Sequence, residues 1–169
     1  MNEFGWAERT LAPFGLEIRG IRLDRPLPPA EQARITALFR QHKVLVMPGQ
    51  HLSEDDQAHF MAMLGPVLGS AGEYRVLSSD GNLGDGPLDW HSDLAFTEQP
   101  FEAISLHALA VNDGQSWTAF TDGAAVLKAL PAALRAAIAG REARTVISMI
   151  QTHRAVGHDV PDFLPQIVR

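Results

Sequence analysis

The alternation of apolar and polar residues near the start of the chain predicts a strand. On either side of Gly20 the apolar side chains fall at nearly every second position, at Leu16, Ile18, Ile21 and Leu23. Side chains of a strand point alternately to its two faces, so this pattern predicts a strand over 15–23 with a bulge at the glycine. We expect this strand to cover one edge of a sheet.

Helical spacing then replaces the alternation. Apolar residues recur three and four positions apart, at Ile35, Leu38 and Phe39. This spacing predicts a helix that begins at Pro28-Pro29, since proline is tolerated in a first turn, and ends near His42. The β-rich run 43–47 (KVLVM) before Pro48-Gly49 predicts a short buried strand that ends in a turn.

A second helix is predicted after Ser53. The Ser53 hydroxyl can cap the helix, and three carboxylates in the first turn favour its N-terminus, at Glu54, Asp55 and Asp56. Gly65-Pro66 ends it. A short strand near 74–77 follows, and the Gly-, Asp- and Ser-rich stretch 78–89 (SSDGNLGDGPLD) predicts a long flexible loop.

The second half of the chain repeats the mixture of strands and helices. A strand is predicted over 102–111 (EAISLHALAV), a helix from Asp122 to Leu130, a helix from Pro131 to Ala139, and a strand over 144–151. Strands and helices do not alternate strictly, which favours an α+β fold with a mainly antiparallel sheet. With no repeat or linker, residues 1–169 are predicted to form a single domain.

Composition narrows the chemistry. The chain has a formal net charge of −6 and no block of basic residues, which argues against a nucleic-acid or membrane-surface partner. It contains no cysteine, so any metal must bind to His and carboxylate ligands. Neither a basic, apolar leader nor a span of about 18 apolar residues is present, and we expect a cytoplasmic protein.

The segment 89–96 (DWHSDLAF) carries the candidate chemistry. In extended backbone, residues i and i+2 point to the same side, so His91 and Asp93 can bind one cation together. Two histidines and one carboxylate form the facial triad of non-haem iron oxygenases. By itself the pair is a weak signal, because a loop histidine beside a surface aspartate is the commoner arrangement.

The surrounding sequence strengthens the signal. The stretch WHSDLAFTEQP resembles the WHTDxTFxxxP motif of the taurine dioxygenase and chlorophenoxyacetate dioxygenase (TauD/TfdA) family of Fe(II)/2-oxoglutarate-dependent oxygenases. Upstream, FGLEIRGIRLDRPL and FRQHKVLVMPGQHLSEDDQAHFMAMLGPV resemble the family's entry strand and its helix, strand, turn and helix. Downstream, GQSWTAFTDGAAVLKALP resembles GGxTxFxxxxxAYxxLP. The resemblance covers roughly residues 12–145 in collinear order.

This resemblance implies a double-stranded β-helix, or jelly roll, of the clavaminate synthase type. It implies that His91 and Asp93 bind Fe(2+) and that the hydroxyl of Thr118 binds the cosubstrate 2-oxoglutarate. The implied reaction uses O2 to oxidise a small organic substrate, with release of succinate and CO2. The match departs from the family at Pro48, where the family has Arg, and at Gln115-Ser116, which replace a glycine pair.

The family's last third supplies a distal histidine ligand and an arginine for 2-oxoglutarate, and we expect this part of the jelly roll to be absent. The segment Thr152-His153-Arg154-Ala155 weakly resembles the distal ligand motif, so His153 is a candidate third ligand. A polar surface loop is the simpler interpretation. An incomplete sheet would favour a homo-oligomer or a complementing chain.

Two other functions remain open. The first is a truncated or split, catalytically incomplete family member with a binding role or no independent role. The second is a zinc hydrolase built on His and Asp ligands, which would leave the Thr118 segment unexplained. Among the remaining aromatic and imidazole groups, Trp90 is predicted to pack, His51 to serve local structure, and His107 to be packed or solvated rather than a ligand.

Overall fold

The computed structural model describes residues 2–67, 90–93, 101–110 and 118–142. The chain divides into two compact units, the first comprising Met1–Tyr74 and Ser105–Pro131 and the second Arg75–Ile104 and Ala132–Arg169. No helix in the described ranges is long and apolar enough to cross a bilayer.

A small mixed sheet organises the first unit. Its strands are β1 (Ala7–Thr10), β2 (Leu16–Arg19) and β3 (Leu45–Val46), in the order β1-β2-β3. β1 pairs antiparallel with β2, with Ala7 opposite Arg19, whereas β2 pairs parallel with β3, with Leu16 opposite Leu45. The strand predicted over 15–23 and the strand predicted over 43–47 are confirmed as shorter elements, and the sheet is mixed within the described residues. The prediction that the second of these strands is buried is wrong, since Leu45 is half-buried and Val46 is 41% exposed.

β1 was not predicted from the sequence. Its four residues, AERT, are all exposed and show no apolar alternation. It forms because it pairs with the edge of β2 and because an ion pair joins the two strands, between Arg9 of β1 and Glu17 of β2 at 2.8 Å. Arg19, which is also on β2, binds the same carboxylate at 2.6 Å.

Helix α1 (Pro29–His42) connects β2 to β3 and covers the sheet. The predicted boundaries and the predicted apolar face are confirmed, since Ile35 and Leu38 are buried. The helix ends at Lys43, which has a left-handed φ of 68° and donates its backbone N–H to the carbonyl of Phe39. This turn directs the chain into β3.

The core of the first unit lies between the sheet and α1. Its buried members are Trp6, Leu16, Ile18, Ile21, Leu23, Leu27, Ile35 and Leu38. Ile18 and Ile35 are fully buried. Full burial of an aliphatic side chain contributes about 1.5–3 kcal/mol, so these two residues are central to the stability of the sheet and helix pair.

Helix α2 (Glu54–Ala62) begins with the predicted cap. The Ser53 hydroxyl accepts a hydrogen bond from the backbone N–H of Asp56 at 3.1 Å, and the Asp56 carboxylate accepts one from the backbone N–H of Ser53 at 2.9 Å. This reciprocal pair satisfies two backbone donors that the helix itself leaves free. Phe60 and the C-cap residue Met63 are partly buried against the core.

The prediction of a strand over 102–111 is wrong for the described residues 101–110, which form no sheet. Over residues 104–107 the side chains do alternate in exposure, but the apolar ones are the exposed ones. Leu106 is 67% exposed, whereas the polar residues Ser105 and His107 are half-buried. A side chain fixes this orientation, because Gln57 of α2 donates to the Ser105 carbonyl at 3.2 Å and to its hydroxyl at 2.9 Å.

Two short helices follow. α3 (Gly123–Ala129) belongs to the first unit, and the Asp122 carboxylate caps it by accepting from the backbone N–H groups of Ala124 and Ala125. α4 (Ala132–Ile138) belongs to the second unit. Both confirm predicted helices. The predicted strands near 74–77 and 144–151 lie outside the described residues.

Candidate metal centre

His91 and Asp93 lie in the second unit, in the described stretch 90–93. The His91 Nε2 atom is 3.0 Å from Asp93 Oδ1, and the two side chains are 53% and 45% exposed. The two groups thus approach each other, although residues 90–93 form no strand. Because only Ser92 separates them, the contact is set by local backbone conformation.

The geometry fits a metal ion. Two donor atoms that each lie about 2.1 Å from one ion, at right angles to each other, are about 3.0 Å apart. The observed separation matches neighbouring positions of an octahedral ion. Imidazole nitrogen and carboxylate oxygen are also the donor types that non-haem Fe(II) selects. In the metal-free chain the same approach of Nε2 to Oδ1 makes an ion pair or hydrogen bond.

The described residues supply no third protein ligand. They contain no group of three His, Asp or Glu side chains that could hold a metal ion. His153 lies outside the described residues, so its candidacy is not tested. Thr118, the predicted 2-oxoglutarate residue, is described and exposed, and it belongs to the first unit.

Trp90 departs from the expectation for this stretch. The sequence predicted a packed aromatic ring, whereas the Trp90 side chain is 69% exposed. As the residue before His91, it points away from the side that His91 and Asp93 share when the backbone is extended. It is therefore not a structural support for the ligand pair in the described part of the chain.

Comparison with known proteins places the chain in a family. Residues 7–163 match the family model described as taurine catabolism dioxygenase TauD, TfdA family. An alpha-ketoglutarate-dependent sulfate ester dioxygenase of Pseudomonas putida is 32% identical over 131 residues, which cover 72% of this chain and 43% of that protein. An (S)-phenoxypropionate/alpha-ketoglutarate-dioxygenase of Delftia acidovorans is 28% identical over 167 residues, which cover 88% of this chain and 56% of that protein.

The fold comparison agrees. A crystal structure of a taurine dioxygenase from Burkholderia xenovorans aligns with a TM-score of 0.57 and 21% identity, over 85% of this chain and 55% of that one. The chain thus spans about half the length of the relatives it matches. Since the family model covers almost the whole sequence, including His91, Asp93 and Thr118, the chain belongs to the TauD/TfdA family.

Proposed function

We propose that the protein is an Fe(II)/2-oxoglutarate-dependent dioxygenase that oxidises a small organic substrate with O2, releasing succinate and CO2. The observation that carries the proposal is the 3.0 Å approach of His91 Nε2 to Asp93 Oδ1 inside a segment that matches the TauD/TfdA family. An oxygen-dependent oxidation needs a metal with open positions, and a donor pair on one side of the ion leaves them.

His91 and Asp93 have distinct roles in this proposal. The imidazole of His91 supplies a neutral nitrogen donor, and the carboxylate of Asp93 neutralises part of the charge of the ion. When bound, iron and 2-oxoglutarate supply the oxidising chemistry, and the protein orients them and excludes water. The two side chains are half-exposed, so an ion and a cosubstrate can reach them from solution.

Thr118 is proposed to bind a carboxylate of 2-oxoglutarate through its hydroxyl. Its place in the motif-like stretch GQSWTAF and the exposure of its side chain support this role. His153 is a candidate for the third metal ligand. We further propose a jelly roll around the site and a cytoplasmic location. The TM-score of 0.57 with a taurine dioxygenase supports the fold.

The substrate class follows the named relatives. One acts on sulfate esters and another on phenoxypropionate, which are small organic anions. We propose that the present protein acts on a small organic anion with a sulfate or carboxylate head group.

Anaerobic addition of Fe(II) and 2-oxoglutarate to the purified chain tests the proposal. Bidentate binding of the cosubstrate to the metal produces a visible charge-transfer band. We expect this band in the unaltered chain and in His59→Ala, an exposed histidine of α2, and its loss in His91→Ala. No band in the unaltered chain would contradict the proposal for this chain and favour a catalytically incomplete member.

Thr118 has a matched control three residues away. Thr118→Val should weaken 2-oxoglutarate binding by roughly 10- to 150-fold, the range of one lost hydrogen bond to a charged group. Thr121→Val removes an equally exposed hydroxyl and should change little. Equal effects of the two variants would contradict the proposed role of Thr118 in binding 2-oxoglutarate. This outcome would not test the proposed role of His91 and Asp93 as metal ligands.

A further inference from the structure

An open cavity of about 490 Å³ lies in the first unit, and its lining includes none of the residues proposed for iron and 2-oxoglutarate. One wall is the turn between β3 and α2, and the other is the stretch 107–109. The lining residues are Gln50, His51, Leu52, Ser53, His107, Ala108 and Leu109. The volume falls within the range of about 300–1,000 Å³ that is typical of small-molecule sites.

Side-chain hydrogen bonds hold both walls in place. In the first wall, the Gln50 amide accepts from the backbone N–H of Leu23 at 3.1 Å and donates to the carbonyl of Ile21 at 3.0 Å. In the second, Gln57 holds Ser105, two residues before His107. The cavity is therefore formed by fixed segments, which reduces the ordering cost of binding.

The two imidazoles are the polar groups left available in the lining. The Gln50 amide is already hydrogen-bonded to the backbone of Leu23 and Ile21. The Ser53 hydroxyl donates to Asp56 Oδ2 at 2.6 Å. Among the described residues, neither His51 nor His107 forms a hydrogen bond or an ion pair. A neutral imidazole offers one acceptor nitrogen and one N–H donor.

Charge near the cavity disfavours an anionic head group. The carboxylate of Asp56 is hydrogen-bonded to Ser53, a lining residue. That hydrogen bond also lowers the pKa of Asp56, so the group carries its negative charge at neutral pH. Glu54 and Asp55 follow Ser53 directly in the first turn of α2. A ligand carboxylate or sulfate would therefore meet repulsion, whereas an ammonium or hydroxyl would not.

We propose that this cavity binds a small amphipathic molecule with an amine or hydroxyl head group. An ammonium head group donates to the imidazoles of both His51 and His107, whereas a hydroxyl donates to one imidazole and accepts from the N–H of the other. A ring-sized apolar body packs on Leu52 and Leu109. This preference is opposite to that proposed for the dioxygenase substrate, and the site shares no residue with the proposed metal centre.

Three probes of equal size and different charge test the proposal on the full chain without iron: benzylamine, benzyl alcohol and benzoate. The readout is the histidine ring signals in a proton–carbon correlation spectrum at mildly alkaline pH, assigned with His51→Gln and His107→Gln. We expect benzylamine and benzyl alcohol to shift the signals of these two residues selectively, and benzoate to bind at least roughly 3-fold more weakly.

Substitutions locate the site. His107→Ala should weaken benzylamine binding by roughly 3- to 10-fold, as expected for one hydrogen bond. Leu109→Ala should also weaken binding; this residue is 63% exposed, so the variant should fold. His59→Ala, outside the cavity, is the matched control. Tightest binding by benzoate, shifts spread over all histidines, or unchanged binding in both variants would overturn the proposal. None of these outcomes depends on the band that tests the dioxygenase.

Discussion

His91 and Asp93 present Nε2 and Oδ1 3.0 Å apart, with a single residue between them in the chain. Because the contact involves only three consecutive residues, the local backbone conformation sets this distance. In the metal site proposed above, the pair supplies two adjacent donors, and the affinity for the ion also depends on further ligands.

Removal of either ligand should abolish specific metal binding. We expect Asp93→Ala and His91→Ala each to weaken Co(II) binding at least about 100-fold, since the loss of supporting groups alone costs 10- to 100-fold. Ser92→Ala changes the residue between them and should leave affinity within about 2-fold. A calorimetric titration of the three variants with Co(II) measures these affinities. An unchanged Co(II) affinity in Asp93→Ala would exclude Asp93 as a ligand.

Acid should destabilise the first unit through Glu17. Hydrogen bonds from Arg9 and then Arg19 lower the pKa of Glu17 to about 2 from an ordinary value of 4.5. The folded state therefore favours the carboxylate, and this stabilisation is complete above about pH 4.5 and is lost as the pH falls towards 2.

Thermal unfolding between neutral pH and pH 2.5 measures this effect. The melting temperature of Glu17→Gln should fall less steeply below pH 4.5 than that of the unaltered chain. Glu31→Gln, at the start of α1, removes a carboxylate that forms no ion pair among the described residues and should retain the steep fall. Parallel curves for all three proteins would refute the role of Glu17.

The same substitution at two leucines should have opposite consequences. Leu38 is 2% exposed in the core, and Leu106 is 67% exposed. Leu38→Ala should lower the free energy of unfolding by about 2–5 kcal/mol, because it removes buried area and leaves a cavity. Leu106→Ala should change it by less than about 0.5 kcal/mol. Urea denaturation measures both, and similar losses would mean that Leu106 is covered in solution.

The cap of α2 should behave as a coupled pair. Ser53→Ala should cost about 1 kcal/mol of stability, the usual value for a lost N-cap. Asp56→Ala removes the other half of the reciprocal hydrogen bonds. The double variant should therefore lose less than the sum of the two single losses. Strict additivity in urea denaturation would show that the two side chains act independently.

Local sequence signals determined the helices and the approach of His91 to Asp93. Proline at the start of α1, the Ser53 cap of α2 and the Asp122 cap of α3 act within a few residues, so sequence alone predicted these boundaries. The spacing of His91 and Asp93 is local in the same sense. Membership of the TauD/TfdA family was also predictable, because its motifs are short and collinear.

Tertiary contacts decided what local pattern could not. The exposed residues of β1 become a strand because Arg9 reaches Glu17 on the neighbouring strand. The stretch 101–110 has strand-like alternation, yet Gln57 binds Ser105, and the flanking side chains of Ile104 and Leu106 are exposed. His51 and His107 line one cavity although 55 residues separate them in the sequence. Hydrogen bonds and burial between distant segments create these features, and no periodicity along the chain encodes such pairings.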